Sequence, residues 1–210
     1  MRQNQVRWVL CAAVLLGGVA LFAGRASSQD GGAKKEPAGG QNPMDEMMKK
    51  MAAAAEPGEN HRYLKVLEGT WATTTKFVMD PSAPPQESKG TCKRKWILGG
   101  RFLTEEFEGE AMGQTFNGYG ITGFDAVSKK YSNVWCDTMG TGMMLSSGTC
   151  DASGKTFKYI GEYNDPMTGQ AKKVHTALRV LSESKHVFEM FDAGPDGKEF
   201  KSLEVTYVRK

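Results

Sequence analysis

Ten strand-like stretches follow one another between Thr70 and Arg209, and no connection between them is long enough for a helix to cross a sheet. They span residues 70–79, 88–98, 101–108, 114–124, 130–138, 143–150, 155–163, 171–181, 186–192 and 199–209. Gly99-Gly100 suits a two-residue hairpin turn, and "DASGK" suits a turn closing on a left-handed glycine. "NDPMTGQ" and "AGPDGKE" read as longer Pro/Gly loops. Neighbours in sequence should therefore pair antiparallel. An open sheet of this size leaves two long unpaired edges, and closing it into an up-and-down barrel removes both. A two-sheet sandwich is the competing arrangement. The pattern predicts an all-β domain of about ten strands over 58–210, preceded by one or two short helices.

The chain ahead of the strands divides into three parts. Residues 1–28 have a basic start at Arg2 and Arg7 and an apolar run from Val9 to Phe22, and Ala26-Ser27-Ser28 offers a small-x-small cleavage site. The apolar run is shorter than the roughly 20 residues of a membrane span. A cleaved signal peptide is the expectation, with export to the periplasm or medium and no integral span afterwards. Residues 29–43 are Gly, Pro and polar residues, read as a flexible linker. Residues 44–57 place Met44, Met47, Met48 and Met51 on one helical face. That stripe suits copper(I) thioether ligation or, better without Cys or His in it, a pliable surface for the domain or a protein partner. "ENHRYLKVLEG" reads as a second short helix.

Charge bears on partners. The formal net charge is +3, and residues 1–28 carry three arginines and no acid, so the remainder is neutral. This gives no electrostatic reason to expect nucleic acid or anionic membrane.

Strand register carried from hairpin to hairpin estimates the interior. Pairing Phe124 with Tyr131 sets Gly120 opposite Trp135, and Gly118 and Gly120 would make room for the indole. Continuing, Trp135 meets Ser146, Ser146 meets Tyr159, Tyr159 meets His175 and His175 meets Asp192. The face so defined also gathers Phe116, Phe157, Phe188 and Tyr207, so it is read as the inside. The row Trp135, Ser146, Tyr159, His175, Asp192 is then either a polar stripe in an aromatic ligand cavity or a set of side chains satisfying one another in a filled barrel. Ser146 and His175 stand about 10 Å apart on this register, too far for a nucleophile and its base. His175 and His186 stand roughly 20 Å apart, and His61 is on a helix, so no metal site is expected. Neither a phosphate loop nor a nucleophile elbow occurs. The acids at 105, 106, 108 and 110 read as a solvated edge. The same register pairs Cys136 with Leu145 and Cys150 with Tyr131, too far apart for a disulfide.

A Gly-x-Trp at the entry to the first strand, in "EGTW", resembles the calycin superfamily of lipocalins, fatty-acid-binding proteins and nitrobindin-like barrels. The resemblance implies a Trp plugging one end beneath an Arg of the final strand, and Trp71 and Arg209 occupy matching places. Further stretches, "WILGGRFL", "GYGITGFD", "KKYSNVWCDTMGTGMM", "SGTCDASGK" and "GPDGKEFKSLEVTYVRK", resemble a family of exported bacterial proteins known only as a domain of unknown function. That family implies a calycin-like barrel without an established activity. Nitrobindin would imply haem, but "GTWATTT" lacks the additional glycines of its Trp motif. The leading expectation is a non-enzymatic exported module, without cofactor, holding a small, partly apolar molecule. The alternatives are a filled barrel acting as an envelope interaction protein and a haem-binding barrel using His175.

Overall fold

The computed structural model describes residues 42–79, 81–166, 168–194 and 197–210; the expected signal peptide (1–28) and most of the linker (29–43) lie outside them. Helix α1 (Pro43–Ala55) leads, then α2 (Glu59–Tyr63) and a 3₁₀ turn at Lys65–Leu67. Ten strands follow: β1 (Gly69–Phe77), β2 (Gln86–Ile97), β3 (Phe102–Ala111), β4 (Gln114–Asp125), β5 (Lys130–Asp137), β6 (Met144–Cys150), β7 (Thr156–Asn164), β8 (Ala171–Ser182), β9 (Lys185–Ala193) and β10 (Glu199–Arg209). Each pairs antiparallel with its sequence neighbours, and β1 pairs with β10, so the sheet is a closed up-and-down barrel. Closure satisfies the backbone groups that a sandwich would leave on its edges.

The local chemistry explains the leading elements. Asn42 caps α1 by accepting from the Met44 amide, Pro43 occupies its first turn, and Asp45 and Glu46 face the positive end of the helix dipole. No residue of α1 is buried, and Met44, Met47, Met48 and Met51 are all exposed. By contrast, α2 and the 3₁₀ turn close one end of the barrel. Leu64 and Leu67 pack with Leu103, Tyr131 and Phe157, and the Tyr131 hydroxyl donates to the Asn60 carbonyl at 2.8 Å. The opposite end, formed by the connections after β1, β3, β5, β7 and β9, has no such cover among the described residues.

Register decides which side chains face inward. Gly120 pairs with Trp135. At β5–β6 Trp135 pairs with Met144 and Ser146 with Asn133, a two-residue shift from the sequence reading, because the ladder closes at Trp135–Met144 and the loop is centred one residue earlier than 139–142. At β6–β7 Tyr159 pairs with Gly148, again two residues away. Here Asp151 holds a wider turn by accepting from the Ser153 and Lys155 amides. Two-residue shifts leave every side chain on its face, because the pleat has period two. The expected cysteine pairings fall with them: Leu145 meets Val134 and Tyr131 meets Gly148, and Cys92, Cys136 and Cys150 are all free.

The β7–β8 connection is different. Asn164 pairs with Ala171, leaving six residues in the loop, so His175 meets Ile160 rather than Tyr159. A one-residue shift turns His175 to the outer face. At β8–β9 His175 meets Phe191 rather than Asp192, with a register irregularity between Val180 and Ser182. This second one-residue difference returns Asp192 to the inner face.

The close fit of Trp135 gives a first expected result. A Cβ at Gly118 would lie 2.2 Å from Trp135 Cζ2 and 2.5 Å from Cη2. Gly118→Ala should destabilise the barrel by about 1–3 kcal/mol through overpacking, whereas Gly142→Ala, with open space around it, should be nearly neutral. Urea midpoints of the two variants check this; equal midpoints would mean that the indole moves aside without cost.

Candidate functional site: a hollow barrel with a charged floor

The barrel is hollow. A cavity of about 1280 Å³ runs from Leu64 and Leu67 at the closed end to the loops of the opposite end. Its walls are largely apolar, with Phe107, Phe116, Trp135, Phe157, Tyr159 and Phe188 among the inward-facing side chains. Exposed Met79, Met112, Met139 and Met143, from three separate connections, surround the mouth. Unbranched thioethers make that rim adaptable to the shape of what passes it.

Three polar side chains cross the apolar wall in one row. Thr122, Asn133 and Ser146 are register partners on β4, β5 and β6, and all three line the cavity. Asn133 Nδ2 donates to Thr122 Oγ1 at 2.9 Å, which fixes the amide. The buried Ser146 Oγ has no hydrogen-bond partner among the described residues. A buried hydroxyl without a partner is costly, and a ligand group in the cavity would relieve that cost.

The floor carries charge. Arg94 from β2 and Glu105 from β3 are paired across the hairpin, with Arg94 NH2 to Glu105 Oε1 at 3.0 Å. The same carboxylate oxygen accepts from the Tyr207 hydroxyl and from Cys92 Sγ, each at 3.3 Å. Arg94 NH1 lies 2.6 Å from His186 Nε2, and its guanidinium carbon sits 4.5 Å from the centre of the Tyr207 ring. His186 stacks on Tyr207 and meets Trp71 edge-on. Burial, reinforced by the Arg94 and Arg209 charges, pushes the His186 imidazole down to about 2. It is therefore neutral, accepts at Nε2 from Arg94 and carries its proton on Nδ1. Burial and the Glu105 charge hold the Cys92 thiol well above the usual range, so it is an unreactive neutral donor.

This arrangement has a pH consequence. Unfolding returns His186 to its ordinary value near 6.5, so below that pH the unfolded chain binds a proton that the folded chain refuses. Stability should fall with decreasing pH from about 6.5, by up to about 1.4 kcal/mol per pH unit from this group. His61, also lowered by burial, acts in the same direction. Urea midpoints between pH 7.5 and 5 check this: His186→Gln should show a shallower dependence than the wild type, and parallel curves would mean that His186 protonates while folded.

Below the floor lies the plug. Trp71 is fully buried, and its indole N–H donates to the Leu67 carbonyl at 2.9 Å. Arg209, its register partner on β10, lies flat over the indole with Cζ 4.2 Å from the ring centre. The guanidinium reaches the carbonyls of Val66 and Glu68 at 2.9 Å and that of Glu183 at 3.0 Å. Gly69 has φ +121°, and a Cβ there would lie 2.6 Å from Arg209 NH1. The Gly of Gly-x-Trp thus clears the path by which the arginine crosses the tryptophan.

The residues singled out from sequence separate into three places. Trp135, Ser146 and Tyr159 line the cavity, and Trp71 and Arg209 form the plug. Asp192 faces inward beyond them toward the open end, paired with Lys172 at 2.7 Å and accepting from the Ser202 hydroxyl at 2.5 Å. His175 is outside, exposed and paired with Glu199, so it does not meet Asp192 and offers no ligand to haem in the cavity. Sequence reasoning missed Arg94, Glu105 and His186. Glu105 was legible as the partner of Gly120 on the inner face, had the register been carried back from β4 to β3 as well as forward.

These features define a class: a closed ten-stranded antiparallel barrel, plugged by helix and tryptophan at one end, hollow, and open at the other. Residues 56–209 match the family described as "Protein of unknown function (DUF1579)", and the chain belongs to that family. No curated protein matches it. Among solved structures, the crystal structure of Rv2717c from M. tuberculosis is similar, with a TM-score of 0.57 at 14% identity over 74% of this chain and 99% of that one. The redesigned beta barrel mFAP1, bound to DFHBI, gives a TM-score of 0.38 at 18% identity over 70% of this chain and 99% of its own. The redesigned barrel b11L5F_LGL gives 0.39 at 21% identity, over 71% and 96%.

Proposed function

We propose that the barrel is a binding module that holds one small, largely apolar molecule in its interior. The observation that carries this reading is the hollow itself. At about 1280 Å³ it exceeds the roughly 300–1,000 Å³ of ordinary small-molecule pockets, and a row of polar groups crosses its mainly apolar wall. A filled barrel serving only as a scaffold would leave no such space between its inward-facing side chains.

The reading is of binding without chemistry. Ser146 has no base at hand: His175 is outside, and His186 is locked between Arg94 and Tyr207. The Trp71–Arg209 plug supports kinship with calycin-like barrels, and the leader-like residues 1–28 support export to the periplasm or medium. The exposed methionine stripe of α1 supports a second contact, with a protein partner, separate from the cavity.

Native mass spectrometry of the protein from its own host tests the reading. A ligand-sized mass excess that is lost on unfolding is expected. A bare mass, together with no saturable uptake of the neutral probe N-phenyl-1-naphthylamine, would overturn it. N-terminal sequencing of envelope or medium protein should find a start near Gln29, and an intact leader there would refute export by cleavage.

A further inference from the structure

The charged floor states which end of a ligand it would receive. Arg94 is the cation that lines the base of the cavity, but little of it is accessible there. One of its nitrogens is committed to Glu105 and another to His186, its flat face lies against Tyr207, and its side chain is only 3% exposed. Glu105 is the opposite case. Its side chain is 18% exposed and lines the cavity, and every contact found for it converges on Oε1. Its second oxygen, Oε2, has no hydrogen-bond partner among the described residues.

From this geometry we infer that the floor is a hydrogen-bond acceptor site, and that the molecule held in the barrel ends in a hydroxyl or amine that donates to Glu105 Oε2. The inference rests on the binding reading above and names the ligand's polar end. Three donors on Oε1 fix the carboxylate, so Oε2 is presented without conformational cost. With His186 neutral, Arg94 and Glu105 cancel, and the floor exerts no net attraction on an anion. An acid head group would instead bring a second carboxylate against Oε2, a like-charge contact in a poorly solvated place. A donor gains a charge-assisted hydrogen bond. Further up the cavity, Ser146 Oγ offers a second polar contact to the body of such a molecule.

A head-group series on one hydrocarbon chain tests this without any mutation. Decan-1-ol, decan-1-amine and decanoic acid are titrated against N-phenyl-1-naphthylamine bound to the intact protein at pH 7.5. The alcohol and the amine should each displace the probe at concentrations about tenfold or more below the acid, the difference expected for a hydrogen bond to a charged partner. Glu105→Gln, checked for folding by circular dichroism, should erase or reverse that order, because it removes the acceptor charge and leaves Arg94 unneutralised. A probe that binds but shows no head-group preference, or a preference for the acid, in the wild type overturns the inference and leaves the cavity reading standing. A probe that does not bind at all, together with a bare mass by native mass spectrometry, overturns the cavity reading itself and this inference with it. If Glu105→Gln does not fold, the wild-type series decides alone.

Discussion

Trp71→Ala should lower the stability of the barrel by about 3–5 kcal/mol, the loss expected when a fully buried indole is truncated and the surrounding structure cannot collapse. Collapse is blocked because the ring is held from several sides: His186 edge-on, the Leu67 carbonyl at its N–H, and the Arg209 guanidinium above. Arg209→Ala should cost less, about 1–2 kcal/mol, since it loses stacking and hydrogen bonds to carbonyls but little buried volume. The two effects should not add. Without the indole beneath it the guanidinium loses its platform, so the double variant should lose less than the sum of the singles. Urea unfolding of all four proteins closes the cycle. Additive losses would make Trp71 an ordinary core residue and Arg209 an independent surface contact.

Arg94→Met should be comparably damaging, by about 3–5 kcal/mol, for an electrostatic reason. The substitution keeps an apolar side chain of similar length beneath Tyr207 but leaves Glu105 without its cation and His186 Nε2 without its donor. An uncompensated carboxylate in a site that is only 18% exposed is the costly element. Adding Glu105→Gln to Arg94→Met should therefore recover much of the loss, because the remaining pair is neutral. If the double variant is as unstable as Arg94→Met alone, the arginine acts through packing and its aromatic contact, and the charge balance of the floor is incidental. The two experiments probe neighbouring layers of the closed end, one apolar and one ionic, and share only His186.

Most of the architecture was legible from turn chemistry and strand texture, because a meander of hairpins leaves few ways to connect. All ten strands lie within about two or three residues of their expected ends. Register was legible only where loop length was unambiguous. Phe124 and Tyr131 flank a short turn and fixed Gly120 against Trp135 correctly. The six-residue connection after Asn164 turned His175 outward, because nothing in "NDPMTGQ" says whether the hairpin closes on an odd or an even number of residues. The ionic floor was hidden for another reason. Glu105 stands among Glu106, Glu108 and Glu110, and a run of acids looks like a solvated edge until each is assigned to a face. Arg94, between Lys93 and Lys95, is masked in the same way. Burial of such a residue depends on a partner in another strand, which local composition does not report.

The seam between β1 and β10 also governs how the molecule can assemble. Every other strand pairing is a hairpin whose ends meet across a short loop, so nine of the ten ladders can form from local encounters. The tenth is non-local: Arg209 binds carbonyls that precede it by 141 and 143 positions. A chain shortened before β10 would hold a curled sheet with β1 and β9 as bare edges, a template for pairing with other molecules. The entropy of bringing distant segments together grows only slowly with separation, by about 0.6 kcal/mol for each doubling. The seam therefore costs little in final stability but comes last in time. Until it shuts, the aromatic lining faces water, and the nascent barrel is most exposed to aggregation.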